Sequence, residues 1–319
     1  MRTSDAVTLD AFPRGWPPPP TLEQYRQAGA PERRVGGRLA HGRADAAAEP
    51  LVSVITVVWN AAATLPRTIA SVREQRASVN LEYIVVDGGS TDGSLELIDT
   101  DDVDLWISER DAGIYDAMNK GVALARGEIV VLINADDWLL PGALAAVCAR
   151  FAEHPESGIV YGDIILDAAD ERPSVRFRPP AQLTARDWHT IPIPHAATMV
   201  RRAVYERVGL FRTDLRLAGD FELPLRAFTA GERFEYLPRP LAAVGRGGRS
   251  DTQRSRYQSE TRRTIAAYAL GPVVQFLHVV HLAKWWLVHL AERSGAGWVV
   301  LGVYRGLKSF VRTRGGTRP

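Results

Sequence analysis

Cysteine is almost missing from this chain: Cys148 is the single one among 319 residues. A disulfide framework is thereby excluded, a thiolate metal site is not credible, and a reducing cytoplasm is the expected setting. Surplus charge is missing too. The formal net charge is +2, so no global field draws in nucleic acid, and none is expected as a partner. Residues 1–50 lack the apolar core of a signal peptide; Asp5, Asp10 and the run Pro17-Pro18-Pro19-Pro20 stand there instead. That segment is expected to be extended or disordered, or to wrap the surface, with docking through Trp16 and Tyr25 as the alternative. No internal repeat is present. The remainder, 46% hydrophobic and 24% charged overall, is ordinary for a globular protein.

The pattern changes at Leu51. Val52–Val58 is a β-branched run that reads as a strand, and Thr64–Gln75 is a helix whose Leu65, Ile69 and Val72 share one face. Leu81–Asp87 is a second strand. Thr91 is placed to cap a short helix holding Leu95 and Ile98. Then come the strand Leu105–Ile107, the helix Ile114–Arg126, the strand Glu128–Ile133 and a helix opened by Pro141. The alternation, with nearly continuous apolar strands, predicts a parallel, doubly wound sheet covered on both faces. After Gly158 the alternation weakens. Ile159–Ile165 and His195–Val200 read as strands, Asp220–Ala230 as a helix containing Pro224, and two further short strands end before Gly245. This half reads as α+β built onto the same sheet.

Between Ile265 and Ala283 there is no Asp, Glu, Lys or Arg. The run approaches the ~20 residues of a membrane span, but Gly271-Pro272, Gln275, His278 and His281 argue against one. On a helical wheel Gln275, His278, His281, Lys284, His289, Glu292 and Arg293 occupy one half. Phe276, Val279, Val280, Trp286, Leu287 and Leu290 occupy the other. That is the pattern of an interfacial amphipathic helix. Trp298, Tyr304 and Phe310 follow, with Arg305, Lys308, Arg312, Arg314 and Arg318 and no acid, which favours an anionic membrane surface. Packing on the domain, or on a second copy in a homo-oligomer, is the alternative.

Two apolar runs end in acids: Tyr83-Ile84-Val85-Val86-Asp87-Gly88-Gly89 and Ile129-Val130-Val131-Leu132-Ile133-Asn134-Ala135-Asp136-Asp137. Side by side in a parallel sheet, such ends leave a pocket of backbone, glycine and carboxylate where open α/β sheets bind ligands. Asp87 can accept from a base N–H or a ribose hydroxyl, and Gly88 and Gly89 let a ligand approach; Asp87 can equally just shape a turn. In extended geometry Asn134 and Asp136 face one site while Asp137 points elsewhere. Asp136 suits a hard cation, Mg2+ or Mn2+, shared with phosphate oxygens, or else caps the next helix. Asp116 and Lys120 are an i, i+4 pair. Asp220 opens a helix, either as a general base or as an N-cap. His195 stands among prolines, either beside a ligand or as a core histidine.

Four strings in order, Val54-Ile55-Thr56-Val57-Val58-Trp59-Asn60, Val86-Asp87-Gly88-Gly89-Ser90-Thr91-Asp92-Gly93, Gly113-Ile114-Tyr115-Asp116-Ala117-Met118-Asn119-Lys120-Gly121 and Asn134-Ala135-Asp136-Asp137, resemble the nucleotide-sugar domain of family 2 glycosyltransferases. The resemblance covers roughly 51–250. It implies an α/β fold of GT-A type, a doubly wound mixed sheet flanked by helices, here with a C-terminal amphipathic helical tail over 251–319. Residues 51–140 would be the nucleotide-binding half and 141–250 the acceptor half. The implied activity is inverting transfer from a nucleoside-diphosphate sugar, with Mn2+ or Mg2+. The implied acceptor, given the tail, is a lipid-linked sugar or cell-surface glycan, and the implied place is the inner face of the plasma membrane.

By that resemblance the segment Thr56, Val57, Trp59 and Asn60 lines the base pocket and Asp87, beside Gly89, binds the base. Asn134 stands where many members have an Asp touching the ribose, which removes one negative charge. Asp136, after Ala135, is the metal carboxylate. Asp116 and Lys120 border the donor, and Asp220 is the base. Glu222 points about 160° round the helix from it. His195 lies near the acceptor or metal, and Gly247-Gly248-Arg249-Ser250 is a loop whose Arg249 and Ser250 hold phosphate oxygens. Two other readings stay open. A nucleotidyltransferase would carry a Gly-rich phosphate loop where Trp59-Asn60-Ala61-Ala62-Ala63 stands; a non-catalytic relative would not need Asp87, Asp136 and Asp220.

Overall fold

In a computed structural model of the chain, the described residues are 16–27, 32–42, 49–166, 174–245 and 253–293. Strands β2 (Val52–Val58), β3 (Leu81–Asp87) and β5 (Ile129–Asn134) are largely apolar and are buried along almost their whole length because helices cover both their faces. Together with β4 (Leu105–Ser108) they form a parallel block in the order β4-β3-β2-β5. The chain starts in the middle at β2, steps outward to β3 and β4, and returns to the far side of β2 as β5. The reversal places a topological switch point beside the carboxyl end of β2, the position where such sheets bind ligands.

The helices between these strands bury the faces their spacing predicts. α2 (Leu65–Gln75) sets Leu65, Ile69 and Val72 against the sheet. α3 (Ser94–Ile98) is short; its first turn is held by Asp92, which accepts from the Ser94 amide, so Thr91 does not cap it. α4 (Ile114–Leu124) lies on the opposite face, burying Tyr115, Met118, Asn119 and Val122. A hairpin-like turn then leads to β6 (Asp137–Leu139) and to α5 (Ala143–Glu153).

The second half makes the sheet mixed. β7 (Ile159–Leu166) pairs antiparallel with β8 (Val175–Phe177) and with β9 (Thr198–Arg201), and β9 pairs antiparallel with β5. His195–Ala197 is a 3-10 turn before β9 and not part of the strand. The two short strands expected before Gly245 are one, β10 (Phe234–Val244), with register shifts between Leu237 and Ala242 where Pro238 and Pro240 offer no amide hydrogen. β10 runs parallel to β7 and antiparallel to β6. After β9 come α6 (Arg202–Val208) and α7 (Gly219–Thr229).

The described N-terminal residues are packed on the domain, as the docking alternative has it. α1 (Leu22–Gln27) buries Leu22 and packs on α4; β1 (Arg34–Gly36) extends the sheet edge antiparallel to β4. Arg212 lies over the Trp16 ring, 4.1 Å from its centroid. At the other end, α8 (Arg254–Ala267) buries Thr261, Thr264 and Ile265, and Ile265 joins Trp188, Phe221 and Leu225 in a small core. α9 (Pro272–Arg293) docks through Val274 and His278. His278 is buried, with Nδ1 2.7 Å from the His189 carbonyl, while Val273, Phe276, Val279 and Val280 face outward, Phe276 at 66% exposure. No helix among the described residues is long and apolar enough to cross a membrane.

Candidate active site

Asp87 and Asn134 are not on neighbouring strands. Asp87 pairs in register with Val58 and Asn134 with Val57, so β2 stands between them and about 10 Å of sheet separates their strands. Because Val57 and Val58 point to opposite faces, so do Asn134 and Asp87. Asp87 lies on the face of α2, and Asn134 on the face of α4 and α7.

The Asp87 carboxylate is fully buried and heavily used. It accepts from the amides of Gly89 (3.1 Å) and Ser90 (3.1 Å) and from the hydroxyls of Ser90 and Ser108 (2.6 Å). It thereby shapes the Gly88–Ser90 turn, and a base N–H would have to take the place of one of these donors. That turn is tied to the end of β2. The Asn60 amide donates to the Ser90 hydroxyl (2.9 Å) and the Thr91 amide to Asn60 Oδ1 (2.9 Å), with Asn60 at φ +51°. Trp59, 57% exposed, stands beside this turn, near Gly88. An added Cβ at Gly88 would collide with the Asp111 carboxylate, so glycine is what brings the two loops together. Thr56 does not reach this surface: it is buried, with Tyr83 donating to its hydroxyl (3.0 Å), and Val57 is buried beside it. Two residues upstream of Asp87's partner Val58, Thr56 sits inside the sheet and not at its rim.

Asn134 and Asp136 do not face one site as an extended strand would have them. The backbone turns at Ala135-Asp136, because Thr68 on α2 donates to the carbonyls of Ala135 (3.1 Å) and Asp137 (2.7 Å). Asn134 Nδ2 therefore donates to Asp137 (3.2 Å), which is buried and also accepts from the Gly245 amide (3.2 Å). Burial, and then the neighbouring Asp136 charge, push the Asp137 carboxyl up to about 7. Asp136 is left half-buried, its carboxyl raised by burial, with no ion pair to another described residue. The buried Asn134 Oδ1 has no hydrogen-bond partner either. A half-buried carboxylate with no ion pair to another described residue suits a hard divalent cation shared with phosphate. The described residues contain no group of three or more acids, histidines or cysteines that makes a metal cage by itself. Arg249 and Ser250 lie outside the described residues; their flank, Gly245, rests against the Asp136 backbone.

Helix α4 joins the two halves. Lys120 Nζ sits between Glu109 (2.9 Å), Asp116 (3.3 Å) and the Arg110 carbonyl (3.1 Å). Asp116 also accepts from the Tyr25 hydroxyl (2.6 Å) and the Ala112 amide (2.9 Å), and Arg33 pairs with Glu109 (2.7 Å). The Arg33 hydrogen bond, with help from Lys120, holds the Glu109 carboxyl down at about 2. Asp116 and Lys120 thus brace the loop 109–113 that leads to the Asp111–Gly88 contact. On the other side, Asn119 exchanges two bonds with the Phe211 backbone, each 2.9 Å.

Asp220 begins α7 and is partly buried. It does not cap the helix with its side chain. Burial pushes its carboxyl up to about 6, with the Tyr115 hydroxyl (3.3 Å) pulling the other way. Beside it is a cavity of about 20 Å³, room for one water or hydroxyl, lined by Leu132, His195, Thr198 and Tyr205 among others. Leu132 is two residues before Asn134, so this cavity opens on the same face as Asn134. Burial pulls the His195 ring down to about 4, and its buried Nε2 has no partner. Glu222 is a correction: it is buried away from the cavity, paired with Arg226 (3.0 Å) and accepting from the Tyr268 hydroxyl (2.6 Å). One helical step of two residues carries it to the far side of α7.

Three residues that sequence reasoning left unused prove central to this geometry: Tyr115, Glu109 and Glu260. Glu260 on α8 accepts from the amides of Arg216 (3.0 Å), Leu217 (2.8 Å) and Ala218 (3.1 Å) and so fixes the approach to Asp220. Only Tyr115 lay within a quoted motif.

The family model described as glycosyl transferase family 2 matches residues 53–209. A PGL/p-HBAD biosynthesis glycosyltransferase of Mycobacterium bovis (strain BCG / Pasteur 1173P2) is 35% identical over 188 residues, covering 57% of this chain and 71% of that protein. The O-antigen biosynthesis protein RfbC of Myxococcus xanthus is 28% identical over 254 residues, 75% of this chain but 19% of that one. Among solved structures, the mannosyltransferase PcManGT from Pyrobaculum calidifontis, in complex with GDP-Man and Mn2+, aligns with TM-score 0.56 at 21% identity, over 90% of this chain and 85% of that one. S. aureus TarS 1-349 in complex with UDP-GlcNAc aligns with TM-score 0.55 at 20% identity, over 69% of this chain and 66% of that one. At these identities the two structures establish the GT-A fold of the sheet and its flanking helices.

Proposed function

The chain belongs to glycosyl transferase family 2 and transfers sugar; from that premise we propose a nucleoside-diphosphate sugar as donor, inversion at the anomeric carbon, and Asp220 as general base. The observation that carries this reading is the Asp220 carboxylate. It is raised to about 6, faces a cavity the size of one hydroxyl, and lies on the Asn134 face of the switch point. A base near 6 is ionised at neutral pH yet basic enough to share a proton in the transition state.

The nucleobase lies against Trp59 and the Asn60–Thr91 turn that Asp87 organises, and the ribose lies towards Asn134. Asp136 would hold Mn2+ or Mg2+. Such an ion supplies charge neutralisation at the diphosphate. The acceptor O–H gives its proton to Asp220. Its oxygen bonds to the anomeric carbon from the side opposite the diphosphate, and the carbon–oxygen bond to the diphosphate breaks, its electron pair leaving with the phosphate. His195, kept neutral by burial, lines the acceptor side. The outward apolar face of α9 and the basic sequence beyond it support a lipid-linked or cell-surface glycan as acceptor, met at an anionic membrane surface on the cytoplasmic side.

Release of nucleoside diphosphate from a panel of nucleotide sugars, by wild type and by Asp220→Asn, tests the assignment. The amide variant is expected to lose about 100- to 10,000-fold in turnover. Equal turnover would remove Asp220 from the mechanism.

A further inference from the structure

We propose that Tyr115 is the positioning residue for the general base: its hydroxyl holds the Asp220 carboxylate at the acceptor cavity and ties that carboxylate to the donor-side helix α4. The inference rests on Asp220 being the base. Two hydrogen bonds carry it. The Tyr115 hydroxyl donates to Asp220 Oδ1 (3.3 Å) and accepts from the Asp220 amide (3.3 Å). One hydroxyl proton and one lone pair are used, so a single group fixes both the side chain and the start of α7.

The ring has little freedom to carry its hydroxyl elsewhere. It is buried, stacked on Phe211 at 5.5 Å between centroids with 12° between planes. It also lies flat against Gly219, where an added Cβ would come within 2.8 Å of ring atoms. Glycine before Asp220 is what allows the backbone to come this near to the ring. Phe211 is itself held by Asn119, one helical turn along α4 from Tyr115. Donor helix, aromatic stack and base are therefore one packed unit. The Lys120 and Asp116 contacts on the same helix brace the loop 109–113, so a donor that shifts α4 shifts Asp220 with it.

The other groups facing Asp220 are of a different kind. His195 and Tyr205 line the cavity and are desolvated, and Tyr257 and Glu260 approach from α8. Glu260 carries the like charge there and is occupied by three backbone amides. Donation from Tyr115 favours the ionised carboxylate, opposite to what burial and Glu260 do.

The test uses the full chain with Tyr115→Phe, which keeps the ring, its stack and its contact with Gly219. Aspartate side-chain carboxyls are labelled with 13C and titrated by NMR, and the resonance missing in Asp220→Asn identifies Asp220. Tyr115→Phe is expected to raise the Asp220 midpoint by about half to one pH unit, since it loses a hydrogen bond to a charged group. Turnover of nucleotide sugars is expected to fall about tenfold in kcat with KM for the donor little changed, and its acid limb to move up by the same amount. An unchanged midpoint overturns the inference by itself. A shifted midpoint with full turnover in Asp220→Asn overturns it differently, because the contact then stands while the base assignment fails.

Discussion

At the scale of single residues, the site sets three carboxyls in unlike surroundings. Burial, and then the Asp136 charge, raise the Asp137 carboxyl to about 7 against the donors from Asn134 and Gly245, while Asp136 next to it is raised by burial and has no ion pair to another described residue. Asp220 is desolvated with one hydroxyl for support. A carboxyl raised above its ordinary value of 3.8 stabilises the fold only while protonated. Its contribution is complete below that ordinary value and is lost as pH rises through about 6. Asp220→Asn is therefore expected to raise Tm by a few degrees at pH 7.5 and to leave it unchanged near pH 4. Thermal unfolding at both pH values checks this, and an equal shift at both would mean that the gain does not come from the charge. The sequence made Asp220 and Asp136 legible because each stands at the end of an element. It did not reveal Tyr115 as a partner of Asp220. Tyr115 sits in the apolar stripe of α4, and the contact joins residues 105 apart.

At the scale of elements, buried strands were the easiest to read. β3 ends at Asp87 as its pattern says; the one earlier charge in this buried strand, Glu82, is paired with Ser53 and Arg126. The turn at Ala135-Asp136 was not readable, because a hydroxyl from α2 imposes it across the sheet. β10 was read as two strands because its prolines interrupt the run, whereas β7 simply pairs past the bulge. The wheel of α9 did not show which residues face in. Val274 meets the small core around Trp188 and His278 meets the His189 carbonyl, while Gln275 and Lys284 of the polar half are exposed. An apolar face left outward on a helix of about 33 Å needs a cover. Phe276→Asp with Val280→Asp is expected to abolish sedimentation of the full chain with phosphatidylglycerol vesicles while leaving donor turnover unchanged. Equal sedimentation by the variant would mean that this face does not meet the membrane.

At the scale of the whole molecule, α4 is the member that the rest leans on. The N-terminal segment reaches it through Tyr25, and Arg33 clamps the adjoining loop. The second half of the sheet reaches it through Phe211 and Asp220, and α8 holds the backbone before Asp220 through Glu260. Segments on both sides of the 51–250 stretch thus hold the two halves in register. Periodicity gives no hint of this for residues 16–27 and 32–42, whose docking depends on a few aromatic and arginine side chains. At the switch point the Asp87 turn and Trp59 lie on one side of β2 and Asn134 on the other. Calorimetric titration of the full chain with a panel of UDP-, GDP- and dTDP-sugars in the presence of Mn2+ tests that site most directly. Saturable binding of at least one member is predicted, weakened about tenfold or more in Asp136→Ala. No heat of binding with any member of the panel would contradict a nucleotide-sugar site at this switch point.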